Sequence, residues 1–240
     1  MKSLRATMAL CLFLAGCNSE HIATYPPMSD RQAIQILIDR SRAIKTVSAQ
    51  GLVTLERPGG QTVRLDAALA IQPRANARLR AWKLGQAIFD ITLTPQGVWV
   101  VLPQQDPTSF GGNSANATRQ WLRLMTGTFE NAGVIADDTG PRLVLKQAAD
   151  DGAIILCEVD RNTLTARRYI LRDRPGRRQF TLTLSRYADF NGIAWPQKIE
   201  AAGPSGRITI DLNGVEINGE LPPAAFHPPA RAVKLAETLP

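Results

Sequence analysis

The chain contains little histidine and little cysteine, and their positions argue against the commonest catalytic and metal sites. Its two histidines, His21 and His227, lie far apart in the sequence. A zinc site needs three or four clustered His, Cys or acidic ligands. The sequence has no G-x-S-x-G motif, no Walker loop and no G-x-G-x-x-G motif. We therefore expect a protein that is not an enzyme and that carries neither a metal nor a cofactor.

A long hydrophobic run is also absent. The apolar run Met8–Leu14 has only seven residues, whereas a membrane-spanning helix needs about 20. The run follows a short basic segment and is followed by Leu14-Ala15-Gly16-Cys17, which resembles a bacterial lipobox. We therefore expect residues 1–16 to be a cleaved signal peptide and Cys17 to carry diacylglycerol and an acyl chain such as palmitate. The alternative is an ordinary signal peptide cut near the same point.

The residues after Cys17 predict where the protein is anchored. Asn18 and Ser19 stand where an inner-membrane lipoprotein of many enterobacteria has aspartate. We therefore expect a lipid anchor in the outer membrane, with the protein facing the periplasm. Residues 17–28 contain Pro26-Pro27 and read as a tether. The lipid on Cys17 supplies several acyl chains, so we expect firm anchoring. It is the only covalent group that we expect on the chain.

Cysteine usage excludes an intramolecular disulfide in the mature chain. Cys11 leaves with the signal peptide and Cys17 is lipidated, so that Cys157 remains alone. Cys157 lies in the apolar run Ile154–Cys157, where a thiol behaves as a small hydrophobic side chain. We expect it to be buried and unreactive.

The formal net charge of +7 is modest for a chain of 240 residues. No dense basic tract with interleaved aromatic residues is present, which argues against nucleic acid as a partner. The densest basic segment is Arg172–Arg178 around Pro175-Gly176. We interpret it as a solvated hairpin tip, with a binding patch as the alternative.

The sequence predicts one amphipathic helix after the tether. Ser29 and Gln32 fit a capping box. The helix that follows places its apolar positions on one face, which must cover an apolar surface. These positions are Ala33, Ile34, Leu37, Ile38, Ser41 and Ile44.

From Val47 onward the hydrophobic period changes to two. In 62–72, Val63, Leu65, Ala67, Leu69 and Ile71 alternate with the residues between them, which is typical of a strand with one buried face. Short strands with tight turns favour an antiparallel meander. A polar stretch at 104–114 and a second helix at 116–125 interrupt it. We expect a mainly β protein with α (α+β): a single antiparallel curved sheet of about eleven strands, forming an open half-barrel whose concave side is covered by the helices.

Three local patterns resemble the lipoprotein carrier superfamily of the LolB receptors and LolA carriers. They are Leu84-Gly85-Gln86 between two strands, Arg119-Gln120-Trp121-Leu122 on the second helix, and Gly192-Ile193-Ala194-Trp195-Pro196 with the strands that follow. Phe226-His227-Pro228 is similar to a LolA-like ending. The resemblance covers 29–229, whereas 230–240 departs from it as a C-terminal tail.

The resemblance implies a lipid-anchored carrier or receptor that binds acyl chains of lipoproteins or other lipids. It implies that Leu84 projects outward and contacts the membrane. We also expect the protein to be a monomer and to have a periplasmic carrier protein as a partner. A curved sheet with an apolar concave face under helices can hold acyl chains. Its candidate lining residues are Leu37, Ile38, Phe89, Trp99, Trp121, Leu124 and Met125. The alternative is a structural or assembly lipoprotein without a ligand cavity that binds a protein partner.

Overall fold

The computed structural model describes residues 22–101, 133–135, 140–148, 152–173, 175–204 and 206–235. These residues form one helix, α1 (Asp30–Ala43), and thirteen strands. The strands are β1 (Val47–Glu56), β2 (Thr62–Gln72), β3 (Asn76–Lys83), β4 (Gln86–Thr94), β5 (Gly97–Val101), β6 (Gly133–Ile135), β7 (Arg142–Ala148), β8 (Ile154–Asp160), β9 (Thr165–Arg172), β10 (Arg178–Phe190), β11 (Ile193–Gly203), β12 (Gly206–Ile217) and β13 (Val233–Lys234).

All strands belong to one antiparallel sheet in the order β13-β5-β4-β3-β2-β1-β12-β11-β10-β9-β8-β7-β6. Among the described residues, the edge strands β13 and β6 do not pair with each other, so the sheet stays open. This confirms the predicted half-barrel. The sheet has two short strands, β6 and β13, beyond the eleven or so that we expected. β13 lies within 230–240, the segment that we expected to be a tail.

One face of the sheet carries the core. In β2, Leu65, Ala67, Leu69 and Ile71 are all buried. The register sets Leu69 opposite Leu79 on β3, and the same face continues across β12 to β7. The period-two alternation therefore places one continuous apolar surface under α1.

Helix α1 begins with the predicted capping box, because the Ser29 and Gln32 side chains each bond the other residue's backbone. Its inward face buries Ala33, Leu37 and Ser41. Ile34, Ile38 and Ile44 are partly buried against the same core. The amphipathic face inferred from the sequence is thus the face that packs on the sheet.

The hairpin turns lie at two opposite ends of the strands. The Leu84 rim comprises the turns at 57–61, 84–85, 173–177 and 204–205. The helix rim comprises the turns at 73–75, 161–164 and 191–192 and residue 218. Helix α1 contacts the helix rim at both of its ends, because Asp30 pairs with Arg161 at 2.7 Å and the Asn218 amide donates to the Ala43 carbonyl at 3.0 Å.

The C-terminal segment 219–235 contacts the opposite face of β3–β5. Arg78 donates to the carbonyl of Ala225 at 3.0 Å, and the Lys234 ammonium lies 5.6 Å from the centroid of the Trp99 ring. β13 then pairs with β5. β5, whose residues Val98 to Val101 are all apolar, is therefore covered on both faces.

Candidate functional site

The β3–β4 hairpin projects a leucine into solvent. Leu84 and Gly85 form a two-residue loop between the paired Lys83 and Gln86. Their φ angles are 50° and 78°, the left-handed conformation of a type I′ turn. Leucine is disfavoured there, since a left-handed L-residue costs roughly 1–2 kcal/mol. Leu84 is nevertheless 93% exposed, so neither turn chemistry nor packing accounts for this side chain.

A bulge bends this hairpin just below its tip. The β3–β4 register pairs Ala81 with Phe89 but Trp82 with Ala87, which leaves Ile88 as the extra residue. A bulge increases local twist and redirects the strand end. Trp82 and Ile88 are half-buried, whereas Lys83 to Gln86 are exposed. The residues at the tip are therefore open to solvent.

A second exposed apolar residue lies on the neighbouring strand. Val63 at the start of β2 is 38% exposed. The β2–β3 pairing ends at Asp66 and Trp82, so Val63 and Leu84 both lie beyond the last paired residues of these two strands. Leu84, which is the more exposed of the two, is the apolar tip of the Leu84 rim.

The helix-covered face is the second candidate element. Leu37 of α1 is 4% exposed and Phe89 of β4 is 1% exposed, and both belong to the apolar cluster on this face. Ile38 is partly buried against it. Three of the predicted lining residues are therefore brought onto one surface by α1 and β4.

Trp99 was expected to line the cavity, but it does not lie on the helix-covered face. It alternates with Val98 and Val100, which face the core, and it pairs with Thr92 on β4. Its side chain consequently lies on the outer face, beside Lys234. The sequence could not assign its face because the β5 run is apolar on both sides. Cys17, Trp121, Leu124, Met125 and the helix expected at 116–125 lie outside the described residues.

The Ser41 hydroxyl and the Trp195 indole are buried at the helix-covered face and have no hydrogen-bond partner among the residues that the structure describes. The Ser41 hydroxyl lies on the inward face of α1, and the indole N–H of Trp195 lies near the start of β11. The two residues are 5% and 3% exposed. Unpaired buried donors are costly, and sequence patterns gave no sign of either group.

Cys157 is buried, as expected, and lies beside Tyr169. Burial raises the pKa of the thiol well above its ordinary range, although the hydrogen bond from Tyr169 opposes that shift. Burial also raises the pKa of Tyr187, whose hydroxyl donates to the carbonyl of Ala166. These groups stay neutral near pH 7 and therefore form a structural polar cluster rather than an acid–base site.

Within the described parts of the chain, no group of His, Cys, Asp or Glu is arranged to hold a metal ion. No helix among the described residues is both long enough and apolar enough to cross a bilayer.

No protein-family model matches the chain, and no curated protein matches its sequence. Solved structures do match its fold. A DUF1329 family protein from Desulfovibrio piger has a TM-score of 0.62 and 14% identity, over 82% of this chain and 96% of that one. A LolA superfamily protein from Nitrosomonas europaea has a TM-score of 0.59 and 14% identity, over 80% and 96%.

A third structure carries a descriptive name. It is an outer-membrane lipoprotein-sorting protein domain from Vibrio parahaemolyticus, with a TM-score of 0.59 and 11% identity over 82% of this chain and 97% of that one. At such identities the similarity establishes the fold and nothing finer. The chain therefore shares its open half-barrel fold with these three proteins, one of which is a LolA superfamily protein, and the fold is the one that its local patterns predicted.

Proposed function

We propose that this protein is a lipid-anchored carrier or receptor that takes acyl chains against its helix-covered face and passes them to a membrane through the Leu84 hairpin. The observation that carries the proposal is the exposed leucine at a left-handed position. Strain and exposed apolar surface are retained where function requires them. The shared fold with a lipoprotein-sorting domain supports the same reading.

The proposed binding step is hydrophobic. The face beneath α1 is lined by side chains such as Leu37, Phe89 and Leu182. Each methylene removed from water contributes about 0.8 kcal/mol, so an acyl chain gains affinity from burial without covalent chemistry. The buried donors of Ser41 and Trp195 suit the ester or amide carbonyl at the polar end of such a chain.

The proposed anchor, the lipid on Cys17, leaves from the rim opposite Leu84. The amide of Tyr25 bonds the Asn162 carbonyl at the helix rim at 2.7 Å. The 11 residues of β2 span about 35 Å between the rims at ~3.3 Å per residue. The chain from Cys17 to Tyr25 reaches at most about 28 Å. We infer that the half-barrel lies along the outer membrane, facing the periplasm, when the anchor and Leu84 touch the same bilayer.

The test is transfer of a fluorescent acylated peptide from residues 18–240 to phospholipid vesicles. Every described contact is retained in this chain, because the described residues begin at 22. Leu84→Asn keeps the turn and removes the apolar tip, and it should slow transfer at least tenfold without reducing capture of the peptide. The matched control is Val233→Asn, since Val233 is also exposed but lies on β13. Transfer at the wild-type rate by the Leu84 variant would overturn the role given to this residue.

A further inference from the structure

Three basic residues lie on the strand ends beside the apolar tip. Lys83 precedes Leu84 in the sequence, and Arg80 lies three residues before Lys83 on β3. Arg64 lies on the neighbouring β2, two residues beyond Asp66, where the β2–β3 pairing ends. All three are exposed, and none forms an ion pair with any residue that the structure describes. We name Arg64, Arg80 and Lys83 the cationic collar.

Acidic side chains do not neutralise the cationic collar. Glu56, at the end of β1, lies 3.9 Å from Arg207. Asp90 lies opposite Arg80 on β4 but is paired with Arg78 at 2.6 Å. Asp66 is exposed on β2 opposite Trp82 and supplies one negative charge against the three positive charges of the collar. The collar therefore keeps an excess of positive charge beside Leu84.

At the helix rim, two arginines are engaged in ion pairs. Arg161 pairs with Asp30 at 2.7 Å, and Arg167 pairs with Asp160 at 3.3 Å. The three cations of the collar have no such ion pair among the described residues, so the rim that carries the exposed leucine keeps their positive charge. On the same rim Arg178 is exposed, whereas Arg177 pairs with Asp173 at 3.0 Å.

We propose that the cationic collar binds the phosphates of anionic lipid headgroups when Leu84 enters a bilayer. This inference rests on the membrane role proposed for Leu84 and adds the class of lipid. Long basic side chains bury their stems beside apolar groups and keep the charge at the headgroup level. Each such residue near an anionic surface strengthens binding by roughly fivefold.

The size of the tip favours a bilayer over an acidic protein. A stable protein interface buries roughly 1,200–2,000 Å². The apolar tip is the single exposed side chain of Leu84, which is far smaller than such an interface. An isolated apolar side chain with cations on the adjoining strand ends is complementary to hydrocarbon beneath a layer of phosphates.

The experiment is co-sedimentation of residues 18–240 with vesicles. One set contains phosphatidylcholine alone, and the other contains equimolar phosphatidylcholine and phosphatidylglycerol. Arg64→Gln, Arg80→Gln and Lys83→Gln together should reduce binding to the anionic vesicles on the order of a hundredfold. The matched control changes Arg31, Lys45 and Arg74 to Gln. These exposed residues lie at the helix rim, and their substitution removes the same number of positive charges. Asp66→Asn should strengthen binding by roughly fivefold.

The outcomes separate this inference from the proposed function. Equal binding of wild type to both kinds of vesicle, or equal loss in the collar and control variants, would overturn the collar. Capture of the acylated peptide should be unchanged in the collar variant. If capture itself fails in wild type while anionic vesicles still bind, the carrier function is wrong and the collar stands.

Discussion

Arg78 and Asp90 form a bidentate ion pair on the outer face of the sheet. Arg78 Nε lies 2.9 Å from Asp90 Oδ1, and Arg78 Nη2 lies 2.6 Å from Asp90 Oδ2. The Asp90 side chain is 3% exposed, and Thr92 donates to it at 3.3 Å. Because Arg78 also holds the Ala225 carbonyl, this pair fastens the C-terminal segment to β3 and β4.

Arg78→Ala should therefore destabilise the protein by about 3 kcal/mol, since it leaves a buried carboxylate without its cation. The free energy of unfolding in urea measures this. Adding Asp90→Ala should restore part of the loss. Arg186→Ala is the control, because Arg186 pairs with the partly exposed Asp211 and such pairs contribute less than about 1 kcal/mol. An equal cost for both arginines would contradict this account of the outer face.

Leu84→Asn should raise stability by about 1 kcal/mol, because asparagine adopts a left-handed conformation more readily than leucine. The same substitution should impair acyl transfer. Urea unfolding checks the first effect. A variant that is less stable than wild type would show that Leu84 is kept for the fold and not for an external contact.

Ser41→Ala should also stabilise the chain, by about 1 kcal/mol. Alanine is the better helix former, and the substitution removes a buried hydroxyl without a partner. If that hydroxyl serves the polar end of a ligand, affinity for the acylated peptide should fall severalfold at the same time. A stabilised variant with unchanged affinity would remove Ser41 from the site.

Cys157 supplies a prediction about pH. It is the only thiol in residues 18–240, and its burial holds the thiol pKa above the unfolded value of about 8.5. The folded state therefore loses stability as pH rises above about 8.5, where the unfolded thiol ionises. Thermal unfolding should show this decline in wild type and less of it in Cys157→Ala. At pH 8, maleimide should label Cys157 only in urea, and rapid labelling of the folded protein would contradict its burial.

The sequence predicted the regular parts of the fold well. Alternation in β2 and the Ser29 capping box are local signals, and each matches the structure closely. β6 and β13 were missed because strands of three and two residues are too short for a period. β13 exists because the returning C-terminal segment pairs with the edge of β5, which is a contact that no local pattern encodes.

The candidate site was predicted less evenly. Leu84 followed from a resemblance, and its left-handed conformation adds a physical reason for its importance. Trp99 was misplaced because nothing local indicates which face of an apolar strand the helix covers. The collar was missed because Arg64 and Lys83 are distant in sequence and meet only through the β2–β3 register.

The most direct test of the central claim is native mass spectrometry of residues 18–240 titrated with a fatty-acylated peptide and with its unacylated counterpart. We predict one acylated peptide per chain, no binding of the unacylated peptide, and weaker binding when Leu37→Glu places a charge beneath α1. The Leu84→Asn variant should bind as wild type does. A folded chain that binds neither peptide would contradict a carrier function and would favour the alternative, a solidly packed scaffold without a ligand cavity.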